Sequence, residues 1–212
     1  MDISSVTNIV GNLMYLVLLL IAMWGAFCVI MVWMRVAQKR FRNEQEQHEF
    51  LQTIERPLAQ GDFDGAAAAL DGDLRAMPQL ALLAIQNRGI GYARVRQLVA
   101  DRFQRDVLAD LEHRLSWVNT VIKTAPMVGL LGTVMGMMGA FGKLAGKANV
   151  KPEVLAGDIS LALITTACGL AIAIPLVLCT ASINVRIRKM EDMVGAGLTR
   201  FMDTFREAMA RS

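Results

Sequence analysis

The sequence predicts an all-α integral membrane protein with three transmembrane helices, the second and third extended by long cytoplasmic helices. Hydrophobic residues make up 54% of the chain and charged residues 19%. This is too apolar for an ordinary soluble domain and too charged for a bundle of spans alone. Residues 3–34, 124–142 and 159–185 contain no charged side chain. Each run is close to or longer than the roughly 20 residues needed to cross a bilayer.

The first apolar run is expected to be a retained membrane anchor. We place a short outer segment at residues 1–8 and transmembrane helix 1 at residues 9–34. A cleavable signal peptide opens with basic residues and has a shorter apolar region. This chain instead begins Met1-Asp2-Ile3 and stays apolar for longer.

The segment at residues 35–119 is predicted to be a helical cytoplasmic insert. Residues 58–70 have the pattern of a helix, a turn and a second helix, with Asp62 or Asp64 as the N-cap. Gly72 and Pro78 are expected to break the chain again. From Tyr92 onward, apolar residues repeat at steps of three and four, which predicts one long helix that rises into the second span.

The second and third spans are predicted at residues 120–143 and 158–185, joined by a short outer loop at 144–157. Both are rich in small residues at steps of three and four, which align on one helix face and let two backbones approach closely. The predicted packing positions are Gly129, Gly132, Gly136, Gly139, Ala162, Gly169, Ala173 and Pro175.

The C-terminal segment at residues 186–212 is predicted to continue the third span as an amphipathic cytoplasmic helix. Its apolar stripe consists of Met190, Val194, Leu198, Phe201 and Phe205. Such a stripe needs a partner. We expect it to pack on the long helix of its own chain and to help a ring of subunits associate.

The distribution of basic residues predicts an outer N-terminus and a cytoplasmic C-terminus. Arg35, Lys39 and Arg40 follow the first span, and Arg186, Arg188 and Lys189 follow the third. The positive-inside rule makes these ends cytoplasmic. The outer loop carries a weaker opposing set, Lys143, Lys147 and Lys151, matched in part by Glu153 and Asp158.

No catalytic, metal or nucleic-acid site is predicted. The basic residues gather at membrane ends and do not form a groove interleaved with aromatic residues. Cys28, Cys168 and Cys179 lie far apart in apolar segments without metal-ligand spacing. The sequence offers no acid or nucleophile pair for catalysis, so we expect neither an enzyme nor a cofactor.

The polar groups of the second and third spans are chiefly hydroxyls. A proton relay across a membrane usually needs an ionisable side chain near the middle, and here the charge-free runs of the three spans supply no carboxylate. If the protein conducts ions, a partner must provide the titrating acid. A threonine in a membrane helix often bonds only to the carbonyl one turn back. Because Thr133 and Thr166 are paired on two small-residue faces, we predict a functional role for these two hydroxyls beyond that bond.

The two glycine-rich and threonine-rich segments resemble the MotA/TolQ/ExbB proton channel family, most closely its ExbB/TolQ branch. The resemblance is carried by the sequences from Pro126 to Met137 and from Ile159 to Pro175. Proteins of the MotA branch have an additional span and a larger cytoplasmic domain that this chain lacks.

The resemblance implies a homopentamer in the bacterial inner membrane whose second and third spans enclose a pore. The pore would hold two single-span helices of an ExbD/TolR-like partner that supplies an aspartate, with Thr133 and Thr166 as the pore threonines. Residues 1–8 and 144–157 would then be periplasmic. Proton flow would drive relative rotation and act on a TonB/TolA-like protein. Leu161 departs from the family, which commonly has glutamate there.

Two alternatives remain at this stage. A TolQ-like role in envelope integrity and cell division competes with an ExbB-like role in energising outer-membrane import, and a neighbouring reading frame would separate them. A non-conducting scaffold, in which the glycine stripes serve only oligomerisation, is the alternative from another class. A measurement of proton flux with a co-expressed partner would distinguish a proton channel from such a scaffold.

Overall fold

A computed structural model describes residues 3–146 and 152–211, and the described residues form helices without any strand. The all-α prediction is therefore confirmed. The helices are α1 (Ile3–Lys39), α2 (Glu44–Ala59), α3 (Phe63–Leu70), α4 (Ala76–Gln86), α5 (Tyr92–Arg102), α6 (Ala109–Gly146) and α7 (Pro152–Arg211). A short 3₁₀ turn spans Arg88–Ile90, and a π-helical turn at Phe103–Leu108 joins α5 to α6.

The chain divides into two compact units. The first, which we call the apolar unit, consists of Met1–Met31 and Arg114–Ala181. The second, the insert unit, consists of Val32–His113 and Ser182–Ser212. Three helical stretches, Leu13–Lys39, Tyr92–Ala145 and Pro152–Arg211, contain a segment apolar enough to cross a membrane. This confirms the prediction of three candidate spans.

The apolar unit buries many small residues of α6 and α7 and leaves many large apolar residues exposed. Its buried positions on α6 and α7 include Ala125, Gly129, Gly132, Ala162 and Gly169. Large exposed side chains include Leu19, Met23, Phe27, Leu130, Met138, Ile174 and Leu178. Exposed apolar surface on this scale needs lipid or protein neighbours, because soluble monomers rarely expose contiguous apolar patches of such extent.

The helices extend further than the sequence pattern suggested. α1 begins at Ile3 and ends at Lys39, so helix covers part of the expected outer segment and passes the end of span 1. α6 reaches Gly146 and α7 starts at Pro152, so most of the expected loop at 144–157 is helical. Two of the loop lysines, Lys147 and Lys151, lie outside the described residues.

The insert unit is built on a small apolar core that α2 to α5 share with the C-terminal part of α7. Its fully buried side chains include Ile54, Leu58, Leu70, Met77, Ile85, Met190, Phe201 and Phe205. Burying side chains of this size contributes roughly 1.5–3 kcal/mol each relative to exposure. The helical insert is therefore held together by hydrophobic burial.

The apolar stripe of the C-terminal helix packs within its own chain, as expected. The ring of Phe205 meets Phe63 of α3 edge to face, with centroids 6.1 Å apart. The side chain of Gln47 on α2 donates to the carbonyl of Met193 at 2.6 Å. These neighbours belong to α2 and α3. The long helix that begins at Tyr92, the expected partner, also contacts α7, because the guanidinium of Arg206 lies over the Tyr92 ring, 5.8 Å from its centroid.

Polar contacts also fix α7 to α2. Arg200 binds Glu55 through Nε at 2.5 Å and Nη2 at 2.7 Å, and its Nη1 lies 2.6 Å from Nδ1 of His48. The hydrogen bond to Glu55 raises the pKa of Arg200. The exposed side chain of His48 therefore belongs to a local polar network with Arg200.

The turn between α2 and α3 follows its sequence. Asp62 is the N-cap of α3, and its Oδ1 accepts from the backbone N–H of Gly65 at 2.8 Å. Gly72, with φ of +79°, ends the next turn in a conformation that favours glycine. The expectation that Pro78 breaks the chain is wrong, because Pro78 lies in the first turn of α4. There its missing N–H has no helical partner to lose.

Arg75, the residue before α4, contacts two carboxylates and two aromatic rings. Arg75 donates from Nε to both oxygens of Asp73, at 3.0 and 2.9 Å, and from Nη1 to Glu46 at 2.8 Å. Its guanidinium lies 4.1 Å from the ring centroid of Phe41 and 5.1 Å from that of Phe50. The Arg75 hydrogen bonds hold the pKa of Asp73 below its usual range, and partial burial opposes the shift.

Candidate functional site: the threonine cluster between α6 and α7

The α6 and α7 backbones touch where two glycines meet the opposite helix. A Cβ added to Gly129 would lie 2.7 Å from the carbonyl oxygen of Thr165. A Cβ added to Gly169 would lie 2.6 Å from the carbonyl oxygen of Ala125. Neither neighbour is a flexible side-chain tip, so only glycine fits at these two positions. The backbones of α6 and α7 therefore approach each other closely at Gly129 and Gly169.

The other predicted packing positions extend this contact. A Cβ on Gly132 would lie 2.6 Å from Oγ1 of Thr165, and one on Gly136 would lie 2.6 Å from Cβ of Ala162. Gly139 and Ala173 are buried as well. Pro175 differs, because it lies inside α7 and is exposed on the single chain. It therefore takes no part in the contact between α6 and α7.

The buried stripe of α7 passes through Thr165, a residue that the sequence analysis did not select. Thr165 is 4% exposed, whereas Thr166 is only half-buried at the margin of the interface. The spacing from Ala162 to Gly169 admits either threonine, at steps of three and four or of four and three. Only the rotation of α7 about its own axis decides between them. The sequence signal for Thr165 was present but ambiguous.

Three threonine hydroxyls and two backbone carbonyls form one cluster. The Gly129 carbonyl lies 3.1 Å from the Thr165 hydroxyl, 3.0 Å from that of Thr166 and 3.3 Å from that of Thr133. The Ala162 carbonyl lies 2.7 Å from the Thr165 hydroxyl and 3.0 Å from that of Thr133. The hydroxyls of Thr133 and Thr166 also contact each other. The two threonines predicted from sequence are therefore brought together.

The proton count of this cluster limits its chemistry. Each hydroxyl has one proton to donate and two lone pairs to accept with. The two carbonyls and the contact between the Thr133 and Thr166 hydroxyls together use all three protons, so no hydroxyl needs a further acceptor. Lone pairs of Thr133 and Thr166 remain, and both side chains are half-buried rather than sealed. The cluster is thus readier to accept a hydrogen bond from outside than to donate one.

The hydroxyl of Thr180, also on α7, differs from those of the cluster. Thr180 is 7% exposed, and its Oγ1 is buried without a hydrogen-bond partner. In the described residues, no three His, Cys, Asp or Glu side chains come close enough to hold a metal ion. The hydroxyl contacts between α6 and α7 therefore involve Thr133, Thr165 and Thr166.

Comparison with known proteins matches much of this chain. Relatives include the Tol-Pal system protein TolQ of Haemophilus influenzae, 36% identical over 49% of the chain, and the biopolymer transport protein ExbB of Xanthomonas campestris, 39% identical over 42%. TolQ of Pseudomonas aeruginosa is 36% identical over 57%. The matches span 44%, 37% and 49% of these relatives, respectively.

The family comparison covers the insert helices from α4 onward together with the threonine cluster. Residues 76–195 match the MotA/TolQ/ExbB proton channel family. This range includes both spans whose glycines and threonines were singled out from the sequence, and it exceeds half of the chain. The chain belongs to the MotA/TolQ/ExbB proton channel family.

Proposed function

We propose that this chain is the ring-forming subunit of an inner-membrane motor driven by the proton-motive force. Five copies would form the ring, and an ExbD/TolR-like single-span partner would stand inside it with an aspartate near Thr133 and Thr166. The assembled ring would be an ExbB-like proton channel that energises TonB-dependent outer-membrane import. A TonB/TolA-like protein would receive the force. The lipid bilayer surrounds the spans, and protons are the transported ion.

The observation that carries this proposal is the threonine cluster on a charge-free helix pair. The apolar runs 124–142 and 159–185 contain no ionisable acid or base other than cysteine thiols. Hydroxyls can hold a carboxylic acid by hydrogen bonds, but they do not titrate at neutral pH. A partner's aspartate would therefore supply the titrating group, and the cluster would supply its polar contact within an otherwise apolar wall.

The hydrogen-bond count suggests which form of the aspartate the cluster prefers. A protonated acid can donate to a lone pair of Thr133 or Thr166 without breaking any existing bond. An ionised carboxylate needs a hydroxyl proton, which must first leave the Gly129 or Ala162 carbonyl. The cluster should therefore favour the neutral acid, so that the aspartate passes the apolar wall only after taking up a proton.

The orientation that we propose has a periplasmic N-terminus and a cytoplasmic C-terminus. The basic residues that follow spans 1 and 3 support it. One of the opposing outer lysines, Lys143, has its charge matched, because its Nζ lies 2.7 Å from Oδ2 of Asp158. The insert unit would then lie in the cytoplasm.

A TolQ-like role in envelope integrity and cell division is the second candidate. Its support is that TolQ and ExbB relatives match at nearly equal identity, 36% and 39%. The experiment that separates the two is deletion of the gene. Loss of outer-membrane import under nutrient limitation favours the ExbB-like role, whereas detergent sensitivity and chained cells favour the TolQ-like role.

The test of proton coupling uses valine at the two pore threonines. Valine keeps the shape of threonine and removes the hydroxyl that would accept a hydrogen bond from the neutral acid, a loss of about 0.5–1.5 kcal/mol. We expect Thr133→Val and Thr166→Val rings to purify with the partner but to lose partner-dependent proton uptake in vesicles. Wild-type uptake by the double variant contradicts a role for the cluster in conduction.

The matched control is Thr120→Val on the same helix. The Thr120 hydroxyl donates to the Ser116 carbonyl one turn back at 2.9 Å, and its side chain is exposed. We expect this variant to retain uptake. The same assay tests the non-conducting scaffold, because a scaffold gives no partner-dependent uptake even in the wild type.

A further inference from the structure

An ion pair joins the C-terminal end of α6 to the N-terminal end of α7. The ammonium of Lys143 lies 2.9 Å from Oδ1 and 2.7 Å from Oδ2 of Asp158. The side chains are 29% and 23% exposed, so the pair is mostly enclosed but still reached by solvent. Among the described residues of the apolar unit, this ion pair links α6 to α7.

The ion pair lies on the same helix faces as the threonine cluster. Asp158 precedes Thr165 by seven residues, which is two helical turns on one face, and Lys143 follows Gly136 by seven. With a rise of about 1.5 Å per residue, the eight residues from Asp158 to Thr166 place the carboxylate roughly 12 Å from the cluster along α7. The pair and the cluster thus occupy successive levels of one interface.

Packing alone does not account for a charged pair at this position. Partly exposed ion pairs contribute only about 0–1 kcal/mol, and charges at membrane depth are costly. From this ion pair towards the threonine cluster, the interface between α6 and α7 is formed by close glycine and alanine contacts and contains no charged side chain. A partly enclosed carboxylate that solvent still reaches can serve in proton transfer, because it can take up a proton from a hydronium ion.

We propose that Asp158, held in place by Lys143, collects protons at the outer end of the path to Thr133 and Thr166. This inference rests on the proposed function and on the proposed orientation. Asp158 takes a proton from a hydronium ion, leaving water, and the neutral acid releases Lys143, which stays an ammonium. The acid then passes the proton through water to the carboxylate of the partner's aspartate, and the ion pair forms again.

The groups around Asp158 define what can influence it. Lys143 faces it from α6. On α1, the hydroxyl of Tyr15 donates to the Leu161 carbonyl at 3.3 Å, one turn further along α7. On α7 itself, Glu153 lies five residues earlier and is exposed. Glu153 is therefore the matched control, as a nearby acid on the same helix without the enclosure.

The experiment measures proton uptake by vesicles that contain the ring and its partner, over a series of outer pH values. Collection limits flux only when protons are scarce. We expect Asp158→Asn to lower uptake by at least about tenfold at alkaline outer pH, a modest effect for removal of a positioned acid or base. At acid outer pH its uptake should approach the wild type. Asp158→Glu and Glu153→Gln should behave as wild type at every pH.

A mere clamp predicts another pattern. Loss of a clamp lowers uptake equally at all pH values, and that result overturns the proposal, as does wild-type uptake by Asp158→Asn throughout. If Asp158→Asn fails to assemble, the double variant Lys143→Gln with Asp158→Asn keeps a neutral hydrogen-bonded pair. This double variant must show the same alkaline loss, and wild-type uptake by it refutes proton collection.

The threonine variants separate this inference from the proposed function. If Thr133→Val and Thr166→Val lose uptake while Asp158→Asn does not, only proton collection by Asp158 fails. If even the wild type shows no partner-dependent uptake, the proposed function fails.

Discussion

The carbonyl oxygen of Gly129 on α6 accepts a hydrogen bond from the hydroxyl of Thr165 on α7 over 3.1 Å. This bond forms only because glycine at position 129 lets the two backbones meet. The same residue therefore provides both the close approach and the acceptor around which the threonines gather. Small residues and hydroxyls in these spans are two parts of one interface.

The first prediction concerns the glycines of this interface. We expect Gly129→Ala and Gly169→Ala to destabilise the protein by about 1–3 kcal/mol, as overpacking does, because each new Cβ would meet a backbone carbonyl at 2.7 or 2.6 Å. Thermal unfolding of the detergent-solubilised protein measures the effect. The control is Gly157→Ala on α7, where a Cβ meets nothing within 4 Å. An equal loss in all three variants contradicts the tight contact.

The second prediction compares two buried threonines of α7. Thr165→Val should cost about 0.5–1.5 kcal/mol, because the hydroxyl bonds to the Gly129 and Ala162 carbonyls are lost. Thr180→Val should raise the melting temperature, since the buried Thr180 hydroxyl has no partner and its desolvation is uncompensated. Thermal unfolding of both variants under one condition is the measurement. A Thr180→Val protein that is less stable than Thr165→Val points to a partner for Thr180 in the assembly.

The third prediction is a pH dependence of the insert unit. Because the folded pKa of Asp73 is lowered by the hydrogen bonds from Arg75, this pair stabilises the fold above the unfolded pKa of an aspartate, about 3.9. That contribution is lost as pH falls through the lower folded value. We expect Asp73→Asn to be less stable than wild type near neutral pH and to lose less stability on acidification. Denaturant unfolding at several pH values tests this, and parallel acid profiles contradict it.

The fourth prediction concerns orientation in the membrane. In a background that lacks the native cysteines, Glu153→Cys should react with a membrane-impermeant maleimide in intact cells. Gln60→Cys and Glu207→Cys should react only after permeabilisation. All three positions are exposed, whereas Phe205 is fully buried and would be a poor labelling site. Labelling of Glu207→Cys in intact cells reverses the assignment.

The sequence predicted the helices and the small-residue contact well, because both depend on local patterns. Charge-free runs predict spans, and glycines at steps of three and four predict a close helix face. Asp62 was likewise among the expected N-caps, since capping is a local interaction between neighbouring residues. Pro78 misled because the same residue that breaks a helix interior is well tolerated in a first turn.

Features that depend on helix rotation or on distant neighbours could not be predicted. Thr165 and Thr166 are adjacent and satisfy the same spacing, so only the packed structure assigns Thr165 to the buried stripe. The contact of Phe205 with Phe63 joins positions far apart in the chain. The sequence analysis set three outer lysines against Glu153 and Asp158 as a group, and only the packed helices assign Asp158 to Lys143.

The π-helical turn at Phe103–Leu108 has a consequence for how this chain tolerates changes in length. Four apolar residues spaced at multiples of four are all buried: Val95, Val99, Val107 and Leu111. A regular α-helix turns about 100° per residue, so side chains spaced four apart would drift around the helix axis and would not all face one core. A π turn absorbs one surplus residue and restores the face. Deleting one residue there should leave a continuous α-helix but rotate Val95 and Val99 out of the core. This turn therefore sets the rotation of α5 relative to α6, and a change of one residue in its length would change which side chains of α5 reach the core.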